Sequence, residues 1–249
     1  MQLKNNLSTK VQYDQWWNNY KQVNEEEPGT VYRAKLVVDT INILSDISNV
    51  VDVGCGAGEL IQKIIKGSKR KLQITGLDVS TKIIRINKKR FKNVNFSTID
   101  LSIISKYRNT YDLVINSEVI EHLNNWKNGI YNLCNLTNIS GYLIITTQSG
   151  KIYAHHKTLG HLKHFRKEEI EKELVKNNFI IVESYYAGWP FMNIKNWLLN
   201  YSILGMKKNV LKETEPNIFN KIIYKIFDFL YKISSKQHGP QIFILARKL

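Results

Sequence analysis

At 249 residues the chain can bury one α/β core with some tens of residues to spare, and its 43% hydrophobic and 23% charged composition excludes a disordered or fibrous polypeptide. Its two cysteines, Cys55 and Cys134, exclude a disulfide framework or a cysteine-built zinc centre, and no run reaches the roughly 18 apolar residues of a membrane span, so a cytoplasmic protein is expected. The formal charge of +15 is mostly lysine scattered through every segment, where phosphate and base recognition favours clustered arginine, so it reads as compositional drift and a nucleic-acid partner is not expected.

The opening MQLKNNLSTK lacks the apolar core of a signal peptide. Val31 to Leu44 has helical spacing and is expected to pack beside the sheet edge. From Val50 onward, short β-branched runs alternate with helix-period segments, which predicts a Rossmann-like, seven-stranded, mostly parallel sheet with helices on both faces. The strands are expected at Val50 to Val53, Leu72 to Leu77, Val94 to Ile99, Tyr111 to Asn116, Tyr142 to Thr147, Phe179 to Tyr185 and Gln241 to Ala246. Helices are expected at Glu59 to Lys66, Ser80 to Phe91, Glu118 to Leu136 and Lys167 to Asn177, with Ser80 as an N-cap and Gly67 and Gly141 as stops.

The stretch Trp189 to Gln237 breaks this alternation. Within it Ile218, Ile222, Ile226, Phe229 and Ile233 form one apolar flank, with Lys221, Lys225, Asp228 and Lys232 facing away. It reads as a helical cap over the core or a pocket, and the alternative is peripheral membrane contact through 217–234. A single domain results: N-terminal helices over 1–48, a cofactor-binding core over 49–188, the cap insertion over 189–238 and a last strand over 239–249.

The chemistry is concentrated in VVDVGCGAGEL, Val50 to Leu60. An apolar strand ends in Asp52, then Gly54, Gly56 and Gly58 alternate before a helix, letting the backbone turn sharply and approach a ligand. Glu59 stands where a dinucleotide fold places its third glycine, and a pyrophosphate sits poorly beside Asp52 and Glu59, whereas an ammonium or sulfonium does not. No Lys-Ser/Thr pair follows, which excludes a P-loop. Asp78 ends the second strand about twenty residues on, where an acid accepts hydrogen bonds from ribose hydroxyls. Asp100 ends the third and could accept one from an adenine amino group.

After the fourth strand, SEVIEHL places Glu118, Glu121 and His122 at i, i+3 and i+4 of an expected helix, a possible face for Mg or Mn with His164 as a further ligand. His155, His156, His161 and His164 crowd the expected acceptor side, and a histidine near neutral pKa suits removal of a hydroxyl proton; His161 and His164 come first, then His122.

Taken in order, VDVGCGAGEL, GLDVS, STIDLS and YDLVINSEVIEHL resemble class I S-adenosylmethionine-dependent methyltransferases, especially the subgroup of ubiquinone-pathway O-methyltransferases and sugar and natural-product methyltransferases. The resemblance covers roughly residues 13–185. It implies S-adenosylmethionine as cofactor, held by the Asp52 to Gly58 loop, Asp78, Asp100 and the backbone of Asn116 and Ser117. It also implies that Arg33 meets the cofactor carboxylate and that QWWN, Gln15 to Asn18, belongs to the subgroup's N-terminal segment. HLKHF resembles its HxRH(F/Y) segment. The expected activity is methyl transfer to a small, partly apolar acceptor, most simply at oxygen. The alternatives are a metal-dependent RNA 3′-end 2′-O-methyltransferase and, from other classes, an NAD-dependent oxidoreductase or a non-catalytic scaffold.

Overall fold

The computed structural model describes residues 27–103, 110–201 and 218–249. The Trp16–Trp17 segment and the polar break at 207–216 lie outside them.

Strands β1 (Asn49–Val53), β2 (Gln73–Asp78), β3 (Asn95–Thr98), β4 (Tyr111–Ser117), β5 (Thr137–Gln148), β6 (Phe179–Ala187) and β7 (Gln241–Lys248) form one sheet in the order β3-β2-β1-β4-β5-β7-β6. Pairing is parallel from β3 to β5, while β7 runs antiparallel to both β5 and β6. The helices are α1 (Pro28–Ile43), α2 (Glu59–Gly67), α3 (Thr81–Arg90), α4 (Trp126–Leu136), α5 (Ala154–Thr158), α6 (Lys167–Lys176), α7 (Phe191–Tyr201) and α8 (Ile218–Lys232).

Because successive strand residues point to opposite faces, each central strand feeds two cores. Val50, Leu113, Ile115, Ile144, Phe243 and Leu245 pack with Val37 and Ile41 of α1, Ile61 and Ile64 of α2 and Ile83 and Ile84 of α3. The intervening Val51, Val53, Val114, Leu143, Ile145, Ile242 and Ile244 pack with Ile130 and Leu133 of α4 and Ile170 and Leu174 of α6. This two-sided burial explains why the strands read as nearly continuous apolar runs. The two sets of helices therefore cover opposite faces of the sheet.

Ser80 caps α3, its Oγ accepting from the Ile83 amide at 3.2 Å, and α2 ends at Gly67 as its sequence implies. Gly141 is different. Helix α4 stops at Leu136, and Gly141 lies within β5, where an added Cβ would stand 2.9 Å from the Asn138 carbonyl and 3.0 Å from that of Asp112. Its missing side chain serves close strand approach beside the register shift at Tyr111/Leu113 and does not end a helix.

Between β6 and β7 the chain forms α7 and α8. Tyr32 of α1, Ala187, Met192 of α7 and the fully buried Tyr231 of α8 make a third, smaller core, with the Tyr32 and Tyr231 rings edge-to-face at 5.6 Å. Lys195 of α7 pairs with Glu27, which also caps α1 by accepting from the Thr30 amide at 2.7 Å. Burial opposes the charge on Glu27, yet Lys195 and Arg33 hold its carboxyl down at about 2. The insertion is thus tied to the helix that carries Arg33.

Candidate active site

The site forms at the carboxyl ends of β1, β2 and β4, where the strand order reverses between β1 and β4. Gly54 turns the chain out of β1 at φ +83°, and a Cβ there would lie 2.3 Å from Val119 Cγ2. The loop is held by its neighbours: the Gly54 and Cys55 amides donate to the Leu77 carbonyl at 2.7 and 3.0 Å, and the Gly56 amide donates to Asp78 Oδ2 at 3.0 Å. From α3, Asn87 Nδ2 donates to the Gly56 carbonyl at 2.8 Å and Arg90 Nη1 to the Ala57 carbonyl at 3.1 Å. Neither residue stood out in the sequence, where Asn87 reads as an ordinary polar position of a basic helix; its complete burial is the signal that marks it.

Asp52 is buried, and that burial, reinforced by Glu59 and Asp78, raises its pKa to about 8. Asp78 is buried too, its Oδ1 accepting from the Ser80 amide at 2.9 Å. Asp100 turns one oxygen onto the Ser102 amide and hydroxyl, at 2.8 and 2.6 Å, closing an ordinary aspartate turn at the mouth of the cavity. The Asn116 side chain donates to the Val53 carbonyl at 2.9 Å, locking β4 to β1, and Ser117 Oγ pairs with Thr146 Oγ1 at 2.8 Å.

The exit from β4 departs from the expected helix. Glu118 adopts φ +57°, Ile120–His122 form a single 3-10 turn, and α4 begins only at Trp126, capped by Asn125 Oδ1 accepting from the Asn128 amide. The i, i+3, i+4 face predicted for Glu118, Glu121 and His122 therefore does not form, and Glu118 is sent a different way from the other two. It accepts from Gln148 Nε2 at 2.5 Å and Gln241 Nε2 at 2.8 Å and lies 3.9 Å from Arg33 Nε. Burial works against its charge, but Arg33 and the two amides keep its pKa below the usual value. Glu121 is wholly buried: Oε2 accepts from Thr147 Oγ1 at 2.8 Å and Oε1 has no hydrogen-bond partner among the described residues. Burial first, then the negative Glu118, pushes its pKa well up.

Five imidazoles adjoin this turn. His122 Nδ1 lies 3.1 Å from the Gly160 carbonyl, which can only accept, so this partner assigns the proton to Nδ1. His161 Nδ1 meets His164 Nε2 at 3.0 Å, and His156 stacks on His161 with centroids 5.1 Å apart. His155 lies against His156 at 3.9 Å. Burial lowers the pKa of each, to about 4 for His155, about 2 for His156 and about 3 for His161. His155, His156 and His161 are therefore neutral at physiological pH and lack the near-neutral pKa expected of a hydroxyl base, while His122 and His164 are shifted in the same direction.

A cavity of about 350 Å³ connects these parts. Its wall includes Arg33, Asp52, Gly54, Gly56, Asp78, Asp100 and Ser117 together with Glu118, His122, Leu159 and His161. Gly58 sits just outside as the left-handed N-cap of α2, its absent side chain making room for the Phe91 ring. His155, His156 and His164 are not among its lining residues. The potential ligand atoms that converge are those of Glu121, His122 and His161, all within 4.8 Å of one another; neither Glu118 nor His164 belongs to that group.

Residues 44–228 match a family model described as a methyltransferase domain. The chain is 26% identical over 136 residues to the ubiquinone biosynthesis O-methyltransferase of Coxiella burnetii, covering 53% of this chain and 56% of that one. It is 27% identical over 179 residues to the malonyl-[acyl-carrier protein] O-methyltransferase of Bacillus anthracis, covering 71% and 61%. The chain thus spans somewhat over half the length of these relatives. Among solved structures, Haemonchus contortus phosphoethanolamine N-methyltransferase 2 in complex with S-adenosylmethionine superposes with a TM-score of 0.64 at 19% identity, covering 96% of this chain and 58% of that one.

Proposed function

Because the chain belongs to the methyltransferase-domain family, whose cofactor is S-adenosylmethionine, we propose that it transfers the sulfonium methyl group to an oxygen of a small, partly apolar acceptor. The observation that carries this is one cavity lined both by Asp52, Gly56 and Asp78 and by His122, Leu159 and His161. In this reading Asp78 holds the ribose hydroxyls, Asp100 and Ser117 flank the adenine side, Arg33 meets the carboxylate, and Asp52 faces the ammonium end. The sulfonium already activates the methyl group, so the protein chiefly aligns donor and acceptor. Both curated relatives are O-methyltransferases by name. Burial lowers the basicity of the imidazoles here, so His122 and His161, both on the cavity wall, serve to orient the acceptor rather than to take its proton, and an acceptor oxygen with a low pKa of its own is favoured.

The converging Glu121, His122 and His161 favour a second feature, a divalent cation. The buried Oε1 of Glu121, without a hydrogen-bond partner among the described residues, fits such an ion, which would restore the charge that burial suppresses; Mg or Mn suits the carboxylate. A bound cation supplies acidity to an oxygen that contacts it.

Titration calorimetry with S-adenosylmethionine and NAD, followed by tritium-methyl transfer to catechols, phenols, fatty acids and an RNA oligonucleotide, tests this reading. Binding of S-adenosylmethionine alone and label on a small acceptor are expected; label on RNA only, or NAD binding, would overturn it. Where Mn raises transfer, Glu121→Gln is expected to abolish that increase while leaving donor binding intact.

The raised pKa of Asp52 adds a linkage prediction. Protonated in the free protein below about pH 8, it is expected to ionise when the cationic ammonium binds beside it. Proton release at pH 7 should appear as a dependence of binding heat on buffer ionisation enthalpy. Affinity should rise with pH up to about 8, and Asp52→Asn should remove both effects.

A further inference from the structure

The outer flank of α8 has no cover among the described residues. Ile222, Ile226 and Phe229, with Ile233 just beyond the helix end, are 53%, 52%, 62% and 62% exposed. At 3.6 residues per turn their spacing of four, three and four puts them in one stripe along the helix. The opposite flank is anchored: Tyr231 is completely buried against Tyr32 of α1. Lys225 and Lys232, seven residues apart, share the flank beside the stripe, and both are exposed. Residues 217–238 contain four lysines, at 221, 225, 232 and 236, and one acid, Asp228. At the stripe's far end the Ser235 amide donates to the Trp189 carbonyl at 2.9 Å, placing the half-exposed Trp189 beside it.

We propose that α8 is an interfacial helix that lays this stripe on an anionic lipid surface. Apolar side chains along the outside, lysines on the adjoining flank and a nearby tryptophan match a helix lying in the plane of a membrane surface. Charge selects lipid over a second copy of the chain: two such faces would bring their lysine rows together on proteins of formal charge +15 each, whereas anionic headgroups attract them. Size points the same way, since a single row of four side chains falls well short of the roughly 800 Å² per partner of a stable interface. No helix among the described residues is long and apolar enough to cross a membrane, so the contact is peripheral. Because α8 packs on α1, which brings Thr30 and Arg33 to the cavity wall, docking would set the catalytic cavity close to the lipid surface.

The test is co-sedimentation of the full chain with vesicles of phosphatidylcholine alone or mixed with phosphatidylglycerol. Binding to the mixed vesicles is expected, weakening with salt, and Ile226→Ser/Phe229→Ser should reduce it about tenfold or more. Both side chains point outward, so the variant should retain its melting temperature and S-adenosylmethionine affinity. Lys225→Glu/Lys232→Glu should abolish the preference for the anionic vesicles without touching the stripe. Equal binding to both vesicle types, no binding, or an unaffected serine variant would overturn the proposal. So would a dimer in sedimentation equilibrium that the serine variant dissociates, which would assign the stripe to a second copy.

Discussion

Asp78→Ala is expected to weaken S-adenosylmethionine binding by about 100-fold or more. Two hydrogen bonds from ribose hydroxyls to a carboxylate are each worth about 1.5–3 kcal/mol, and each 1.4 kcal/mol is tenfold. The structure adds a second loss, because Asp78 also accepts from the Gly56 amide at 3.0 Å and the Ser80 amide at 2.9 Å. Both donors would lose their acceptor, loosening the glycine loop before any cofactor arrives. Titration calorimetry measures the first effect and thermal denaturation of the free protein the second. Asp78→Asn separates them, since its single amide oxygen can still accept from one of the two backbone donors. Affinity unchanged in the alanine variant would overturn the ribose contact assigned to Asp78.

Gly54→Ala is expected to unfold the site from its centre. A non-glycine residue at φ +83° costs about 1–2 kcal/mol, and its Cβ, 2.3 Å from Val119 Cγ2, adds roughly 1–3 kcal/mol of overpacking. Val119 follows Glu118, itself at φ +57°, so the collision would displace the turn that carries Glu121 and His122 as well as the cofactor loop. The expected outcome is loss of measurable S-adenosylmethionine binding with a melting temperature lower by several degrees. Adding Val119→Ala removes the collision but not the backbone strain, so the double variant should recover part of the stability. A single variant as stable as the parent would show that the loop accommodates a side chain.

Much of the site was legible because its requirements are local. The alternating glycines of residues 54–58 need only their own backbone, and all three have positive φ. An acid at the end of β2 faces the loop of β1 in any parallel sheet with these neighbours, so Asp78 could be placed from strand order alone. Ser80 capped the helix that follows it for the same reason.

The turn after β4 was not legible. SEVIEHL has helical spacing, and the helix is lost because Glu118 takes a left-handed conformation held by Gln148 and Gln241, 30 and 123 residues away. That long-range capture separates Glu118 from Glu121, and among the described residues the potential ligand atoms that converge are those of Glu121, His122 and His161. The lowered basicity of the histidines was not legible for a related reason. HLKHF shows two histidines three apart, but not that His122 and His156 close over them, and it is burial that lowers their pKa values.

By itself, the sequence determined the fold, the glycine loop and its family, since these rest on hydrophobic period, local backbone freedom and strand order. Only the tertiary structure decided which carboxylate has its pKa lowered and which raised, which imidazoles line the cavity and which flank of α8 is uncovered by the described residues. Charge and exposure depend on what the rest of the chain packs against a residue, and that partner can lie more than a hundred positions away.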